Sequence, residues 1–326
     1  MVLDAAAGPA KVICAGLHDA DILGRYVVGI PPRQGLGLIE EIRLTVAGTA
    51  AATAVDLARL GVSVDTVGAV GNDTLGNFMR EQMAQEGVGV ERLKVQSDYP
   101  TSASILPIRP DGSRPSLHVI GSNKAIVLDD FPDEMFAGVS VLHFGGVGLL
   151  PNLDGPDAVE VLRRAKRQGV VVTMDFIPSG DLDSDRAALV PCFPYVDDLV
   201  PSEDDAFFIA GTEDRRAAIA YYLDAGVSVV VITMGGDGVS ISDSIERDRR
   251  LPAYEISLVD TTGCGDAFSA GFISGLVDGA EIFECAERGL ASGSLVATGL
   301  GSDAGLTSRA VMQDFRKNTP RGEVSR

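Results

Sequence analysis

Short apolar runs alternate with amphipathic stretches along most of the chain. Residues 11–17 (KVICAGL) form a β-type run that ends at Gly16. Residues 49–60 (TAAATAVDLARL) are alanine-rich with helical spacing, and Ala47 and Gly48 make a glycine turn into them. Residues 62–70 read as a strand closed by Gly71. Asn72 and Asp73 then cap a helix through Gln85, with Leu75, Phe78, Met79 and Met83 on one face. From residue 139 the alternation resumes: a strand (139–144), a glycine turn, a helix (157–168), then strands at 170–175 and 196–200. Residues 227–233 (VSVVVIT) are an almost continuous apolar run, which predicts a central strand. Strand–helix alternation of this kind predicts an α/β protein with a largely parallel sheet. Two stretches depart from it. Residues 26–30 and 41–46 read as two strands with proline and glycine between them, and 101–108 and 116–120 flank the turn signal Pro110, Asp111, Gly112. Each pair reads as a hairpin protruding from the body. A β-type approach at 254–259 leads into a glycine-rich turn, the last helix spans 282–298, and residues 316–326 read as a frayed polar tail.

Composition narrows the class of protein. A chain of 326 residues points to about two domains. The formal net charge of −19 argues against nucleic acid or an anionic membrane as partner. It leaves room for a small phosphate ligand whose charge Mg²⁺ offsets. The basic run Arg163, Arg164, Lys166, Arg167 reads as a solvated helix face. The four cysteines show neither C-x-x-C pairing nor metal-ligand spacing, so reduced thiols in a cytoplasmic protein are expected. Three histidines are too few for a His-based metal site. The N-terminal residues have no signal-peptide character, and no run approaches the ~18 apolar residues of a membrane span.

The candidate chemistry centres on Asp260, Thr261, Thr262, Gly263, Cys264, Gly265 and Asp266, which run into an apolar, helix-compatible segment (267–277). A glycine-rich turn that opens a helix gathers unpaired N–H groups and the positive helix end, and so forms an anion site. Asp266 at its mouth is either a helix cap or a proton acceptor. Asp21, after the first strand, is either a turn residue or a group for a polar ligand. Gly235, Gly236, Asp237 and Gly238 form a second flexible turn. Ser202, Glu203, Asp204 and Asp205 open a helix, where acidic side chains either answer the dipole or hold Mg²⁺ through water. There is no G-x-x-x-x-G-K-[ST], no G-x-G-x-x-G and no G-x-S-x-G. The features left suggest phosphoryl transfer without a Walker loop.

The residues from Asp260 to Phe268 resemble the D-T-x-G-x-G-D-x-F signature of the ribokinase-like (PfkB) carbohydrate kinase family. Further matches come in the family's order. Gly16 to Asp21 is similar to its G-x-x-x-x-D, and Ala47 and Gly48 with residues 67–73 resemble its N-terminal signature region. Gly121, Ser122 and Asn123 are similar to its G-A-N, and residues 233–238 to its T-x-G-x-x-G. The resemblance covers residues 11–305.

It implies a ribokinase-like three-layer α/β sandwich with a central, mostly parallel sheet. The core would comprise residues 1–23, 48–97 and 122–326, and a small β lid residues 24–47 and 98–121. It implies an ATP-dependent kinase acting on a hydroxyl of a sugar or sugar derivative. Asp266 would be the general base, with Gly263, Cys264 and Gly265 as the anion hole. Asp21, Gly48, Ala52 and Asn123 would bind substrate, and Thr233, Gly235, Asp237, Gly238 and Thr262 the ATP. Ser202 and Asp205 fall at the family's N-x-x-E positions, linked to Mg²⁺. The segment 299–305 either frames the nucleotide or a monovalent-cation site, or caps a helix. A homodimer through the lid is implied as well. Two positions depart from the pattern: Ala52 stands where the family's sugar-contacting Asn would be, and Ser202 and Asp205 replace its Asn and Glu. A nucleoside kinase of the same fold and a non-catalytic sugar-binding regulator are the alternatives.

Overall fold

The computed structural model describes residues 11–110 and 112–323. The leader reading at residues 1–10, Asp111 of the turn signal and the last three residues lie outside the described residues.

Every second residue of β1 (Lys11–Gly16) faces a different side of the molecule. Val12 and Cys14 join one apolar cluster, Ile13 and Ala15 another. This is the pattern of a strand buried on both faces, and it places β1 inside a three-layer sandwich. β4 (Ser63–Gly71) and β8 (Val139–Val147) flank β1 in parallel. β5 (Gly89–Gln96) continues one side. β9 (Val171–Phe176), β10 (Asp198–Leu199) and β11 (Val229–Thr233) continue the other, all parallel. Two antiparallel strands, β12 (Val239–Ser242) and β13 (Arg249–Leu251), complete a sheet of nine strands.

One layer holds α1 (Thr49–Arg59), α2 (Thr74–Gln85), α7 (Cys264–Val277), α8 (Ile282–Val296) and α9 (Arg309–Asn318). The other holds α3 (Pro156–Arg167), α4 (Leu182–Leu189), α5 (Glu203–Ala210) and α6 (Arg215–Asp224). The basic run on α3 is taken up by ion pairs: Arg163 with Glu160, Lys166 with Asp197 and Arg167 with Asp133. No helix among the described residues is long and apolar enough to cross a membrane.

The two protruding stretches combine into one four-stranded sheet, ordered β3 (Glu41–Ala47), β2 (Asp19–Arg25), β6 (Ala103–Ile108), β7 (Leu117–Val119). β2 occupies residues expected to be a turn, and residues 26–30 are not a strand. The reason lies in pairing: residues 19–22 alternate polar and apolar, and both edges of β2 are filled, antiparallel by β3 and parallel by β6. The alternation gives this sheet two unlike faces. Asp19, Asp21, Thr45, Ser104 and His118 point one way. Leu44, Ile22, Ile105 and Leu117 are cross-strand partners in a single row on the other.

Three further expectations fail, the first being that the helix read over 282–298 is the last, since α9 follows α8. Residues 254–259 form no strand beyond one bridge from Tyr254 to Arg321. The polar tail is docked rather than frayed: Arg316 pairs with Glu284 and Glu287, and Arg321 sits over the Tyr254 ring at 4.8 Å.

Candidate active site

The turn from Asp260 to Asp266 is fastened by Asp260, a fully buried carboxylate. Its Oδ1 accepts from the Thr262 N–H (3.0 Å) and Thr262 Oγ1 (2.9 Å), and its Oδ2 accepts from the Gly301 N–H (2.9 Å). The turn is thereby tied to the segment that follows α8. That segment closes the helix with turn bonds from the N–H groups of Thr298 and Gly299, so its capping role is real. Gly263 has φ 76°, and a Cβ there would lie 2.5 Å from Ser302 Cα. Glycine is required by both conformation and contact. A Cβ on Gly265 would meet nothing within 4 Å, so that position faces open space. The first N–H groups of α7 have no intrahelical acceptor. Of these, the Cys264 N–H already reaches Thr261 O at 3.3 Å.

Two cavities meet at this turn. A polar cleft of about 1070 Å³ lies between the two sheets and is lined by Asp21, Gly48, Thr49, Ser202, Asp205, Thr262, Gly263 and Asp266. An apolar cavity of about 530 Å³ lies beyond it, lined by Tyr254, Ile256, Leu258, Cys264, Phe268, Leu290 and Gly238. Thr233, Gly235, Thr261 and Gly265 border both. Residues far apart in sequence thus converge on one seam.

Three expected residues do not reach it. Asn123 is fully buried, and both ends of its amide bond the backbone of His18. Ala52 faces a separate 50 Å³ cavity with Val46, Val55 and Arg59, because it lies on the flank of α1 turned toward β3 and α2. Thr49, one turn earlier, is the α1 residue that lines the cleft. Asp237 is exposed and borders neither cavity. Gly238 serves packing as well, since a Cβ there would lie 2.0 Å from Leu251 O.

The cleft is strongly acidic. Asp19, Asp21, Asp175, Glu203, Asp204, Asp205 and Asp266 line it, against Arg114 and His118 as the basic side chains among its described lining. Burial pushes Asp266 up to about 6, opposed by the charge of Arg114. Burial, then the neighbouring Asp19 charge, push Asp21 up to about 8. Burial holds Asp175 well above the ordinary carboxyl range. Asp205 is raised by burial, while the Ser202 hydroxyl that donates to it at 2.6 Å pulls the other way.

Sequence reasoning missed Asp175, although its place at the C-terminal end of a parallel strand is where ligands gather. It also missed Arg114, whose Nε donates to Thr261 Oγ1 at 3.0 Å from the loop between β6 and β7. No local signal marks that contact. His118 and Ser104, which contact Asp19, become visible only once β2, β6 and β7 are paired.

Known proteins share this architecture. A fructokinase from Klebsiella pneumoniae is 31% identical over 263 residues, covering 78% of this chain and 83% of that protein. A ribokinase from Haemophilus influenzae is 25% identical over 284 residues, covering 85% and 89%. In fold, the chain is similar to a crystal structure from E. coli of a candidate ribokinase II in complex with ATP and Mg²⁺. That match has a TM-score of 0.82 at 22% identity and covers 94% of this chain and 99% of the other. The model for pfkB family carbohydrate kinases matches residues 12–309. The chain therefore belongs to the pfkB family of carbohydrate kinases, which are phosphotransferases.

Proposed function

We propose that the protein transfers the γ-phosphoryl group of ATP to a hydroxyl of a sugar or sugar derivative, with Asp266 as general base. One observation carries this reading: Asp266 and Gly265 stand on the same turn at the seam between an apolar cavity and a polar cleft. The apolar cavity suits a nucleobase between Tyr254, Phe268 and Leu290, and the cleft suits a polyol beneath Asp21 and Ser104. In the transfer, the acceptor oxygen bonds to the γ-phosphorus as the bond to the β,γ-bridging oxygen breaks. The hydroxyl proton passes to Asp266 and ADP leaves. A carboxyl raised to about 6 is ionised at neutral pH yet more basic than an ordinary one. The N–H groups at the start of α7 face the charge that develops on the phosphoryl oxygens.

The donor set fits Mg²⁺. Asp175, Glu203, Asp204 and Asp205 supply hard oxygens on the cleft wall, and no group of three or more ligating side chains forms a closed cage among the described residues. An ion held partly by nucleotide oxygens and water needs no such cage. Mg²⁺ would neutralise phosphate charge when bound. Ser202 and Asp205, bonded to each other, hold the α5 end of that wall.

The four-stranded sheet is read as a lid over the acceptor, with its polar face toward the cleft. Its outer row of Leu44, Ile22, Ile105 and Leu117 leaves a broad apolar face, with Leu117 67% exposed and Ile42 72% exposed beside it. Exposed apolar area of this kind marks an interface, and a second copy of the lid is its proposed occupant.

The test is ADP release from Mg-ATP across sugars, sugar acids and nucleosides. Turnover on a sugar supports the reading. Turnover on nucleosides alone moves the acceptor class. Clear sugar binding by calorimetry with no turnover on any member makes the protein a binding protein instead.

A further inference from the structure

We propose that Arg114 is a further catalytic residue, delivered by the loop between β6 and β7 to neutralise charge on the transferring phosphoryl group. The inference rests on the kinase reading and assigns a group that the turn and Asp266 do not supply.

Three observations place Arg114 there. It is exposed, lines the polar cleft, and is anchored at the seam by its Nε bond to Thr261 Oγ1 (3.0 Å). Thr261 borders both cavities and belongs to the same turn as Gly265 and Asp266. The remaining N–H bonds of the guanidinium lie in one rigid plane with Nε, so anchoring Nε keeps the fork at the turn. The second observation concerns charge. Seven acidic side chains line the cleft, two of them, Asp21 and Asp175, raised by burial, and His118, the other basic lining residue, is engaged by Ser104 and Asp19. Arg114 hydrogen-bonds a neutral hydroxyl and makes no close ion pair among the described residues, although its charge reaches Asp266. It is the cationic side chain left for a ligand. Third, Arg114 is tied to the turn, whereas Asp21 and Ser104, proposed to face the acceptor, line the cleft from β2 and β6.

The electronic demand is clear. As the bridging P–O bond breaks and the acceptor O–P bond forms, negative charge spreads over the equatorial oxygens and onto the leaving ADP. In so acidic a cleft, N–H groups alone face strong opposing charge. A planar, permanently charged fork suits those oxygens better than an ammonium.

Arg114→Ala and Arg114→Lys are compared with wild type in two measurements. In steady state, the Ala variant is expected to lose about 10²–10³-fold in kcat, with the acceptor KM and ATP dissociation constant within a few-fold and part of the rate regained by Lys. A raised acceptor KM with kcat retained would make Arg114 an acceptor-reading residue and overturn the proposal. The second measurement needs no acceptor turnover: calorimetric affinity for MgADP with and without aluminium fluoride, which mimics the flying phosphoryl. Wild type is expected to gain affinity from fluoride, and Arg114→Ala to lose most of that gain. A wild type that gains nothing overturns the kinase reading and the proposal with it. An Ala variant that gains as much as wild type overturns the Arg114 assignment alone.

Discussion

The Asn123 side chain clamps the backbone of His18 from both sides: its Oδ1 accepts from the His18 N–H at 3.1 Å and its Nδ2 donates to the His18 carbonyl at 2.9 Å. The next residue is Asp19, where β2 begins. Asn123 therefore sets where the cleft floor starts without touching the cleft. Replacing it with Ala strands two buried backbone groups, at about 1–3 kcal/mol each. The melting temperature should fall and the acceptor KM rise, with ATP affinity unmoved. Unchanged acceptor KM in a folded N123A protein would return Asn123 to a purely structural role.

Asp266→Asn should lower kcat by about 10²–10⁴-fold, the usual range for a general base, while calorimetry finds ATP binding nearly intact. The same variant should melt above wild type at pH 8. The folded-state value of Asp266 is raised to about 6, so its contribution is fully present below about pH 4 and lost as pH rises through 6. The melting difference should therefore shrink as pH falls toward 4.

The profile of log kcat/KM against pH should show an acidic limb with a midpoint near 6, following the free-enzyme value of Asp266. Above the midpoint the carboxylate accepts the hydroxyl proton, and below it activity falls about tenfold per pH unit. A limb displaced to about pH 4 would mean that Asp266 titrates as a solvated acid and that burial is not controlling it.

Gly263→Ala should be among the costliest single-methyl additions in the chain. The left-handed φ of 76° and the approach to Ser302 Cα act together. A drop of several degrees in melting temperature and turnover near background are expected. Gly265→Ala is the control: its Cβ meets nothing in the protein, so the fold should hold while phosphate affinity falls.

Ile105→Glu with Leu117→Glu places two charges at directly paired positions on the outer face of the lid. Both side chains are more than half exposed, so the fold should tolerate the change. Light scattering should report monomers where wild type gives dimers. A monomeric wild type would end the lid-to-lid proposal.

Much of the core was legible because its strands are buried on both faces. The apolar runs at β1, β8 and β11 have one explanation only, and glycine turns mark their ends. Strand β2 was hidden because Asp19 and Asp21, after Gly16, carry turn chemistry as strongly as strand alternation. Only pairing with β3 and β6 decides between them. Helices α4 and α6 lack a long apolar stripe, and the C-terminal segment holds by ion pairs that draw partners from α8. In the site, the turn around Asp266 is local and could be read directly. The Arg114–Thr261 contact joins two loops that nothing in their own residues brings together. Asn123 and Ala52 show the opposite error: a motif position was legible, but the direction of its side chain was not.

Strand β2 carries Asp21 toward the cleft and Ile22 toward the outer face, so one backbone joins the proposed acceptor site to the proposed interface. If two copies meet on that face and the strand transmits a shift between its two sides, assembly and acceptor affinity are thermodynamically linked. Where assembly strengthens acceptor binding, acceptor binding strengthens assembly by the same factor. The apparent KM for the acceptor would then depend on enzyme concentration, and kinetics from dilute assays would understate the affinity of the assembled form.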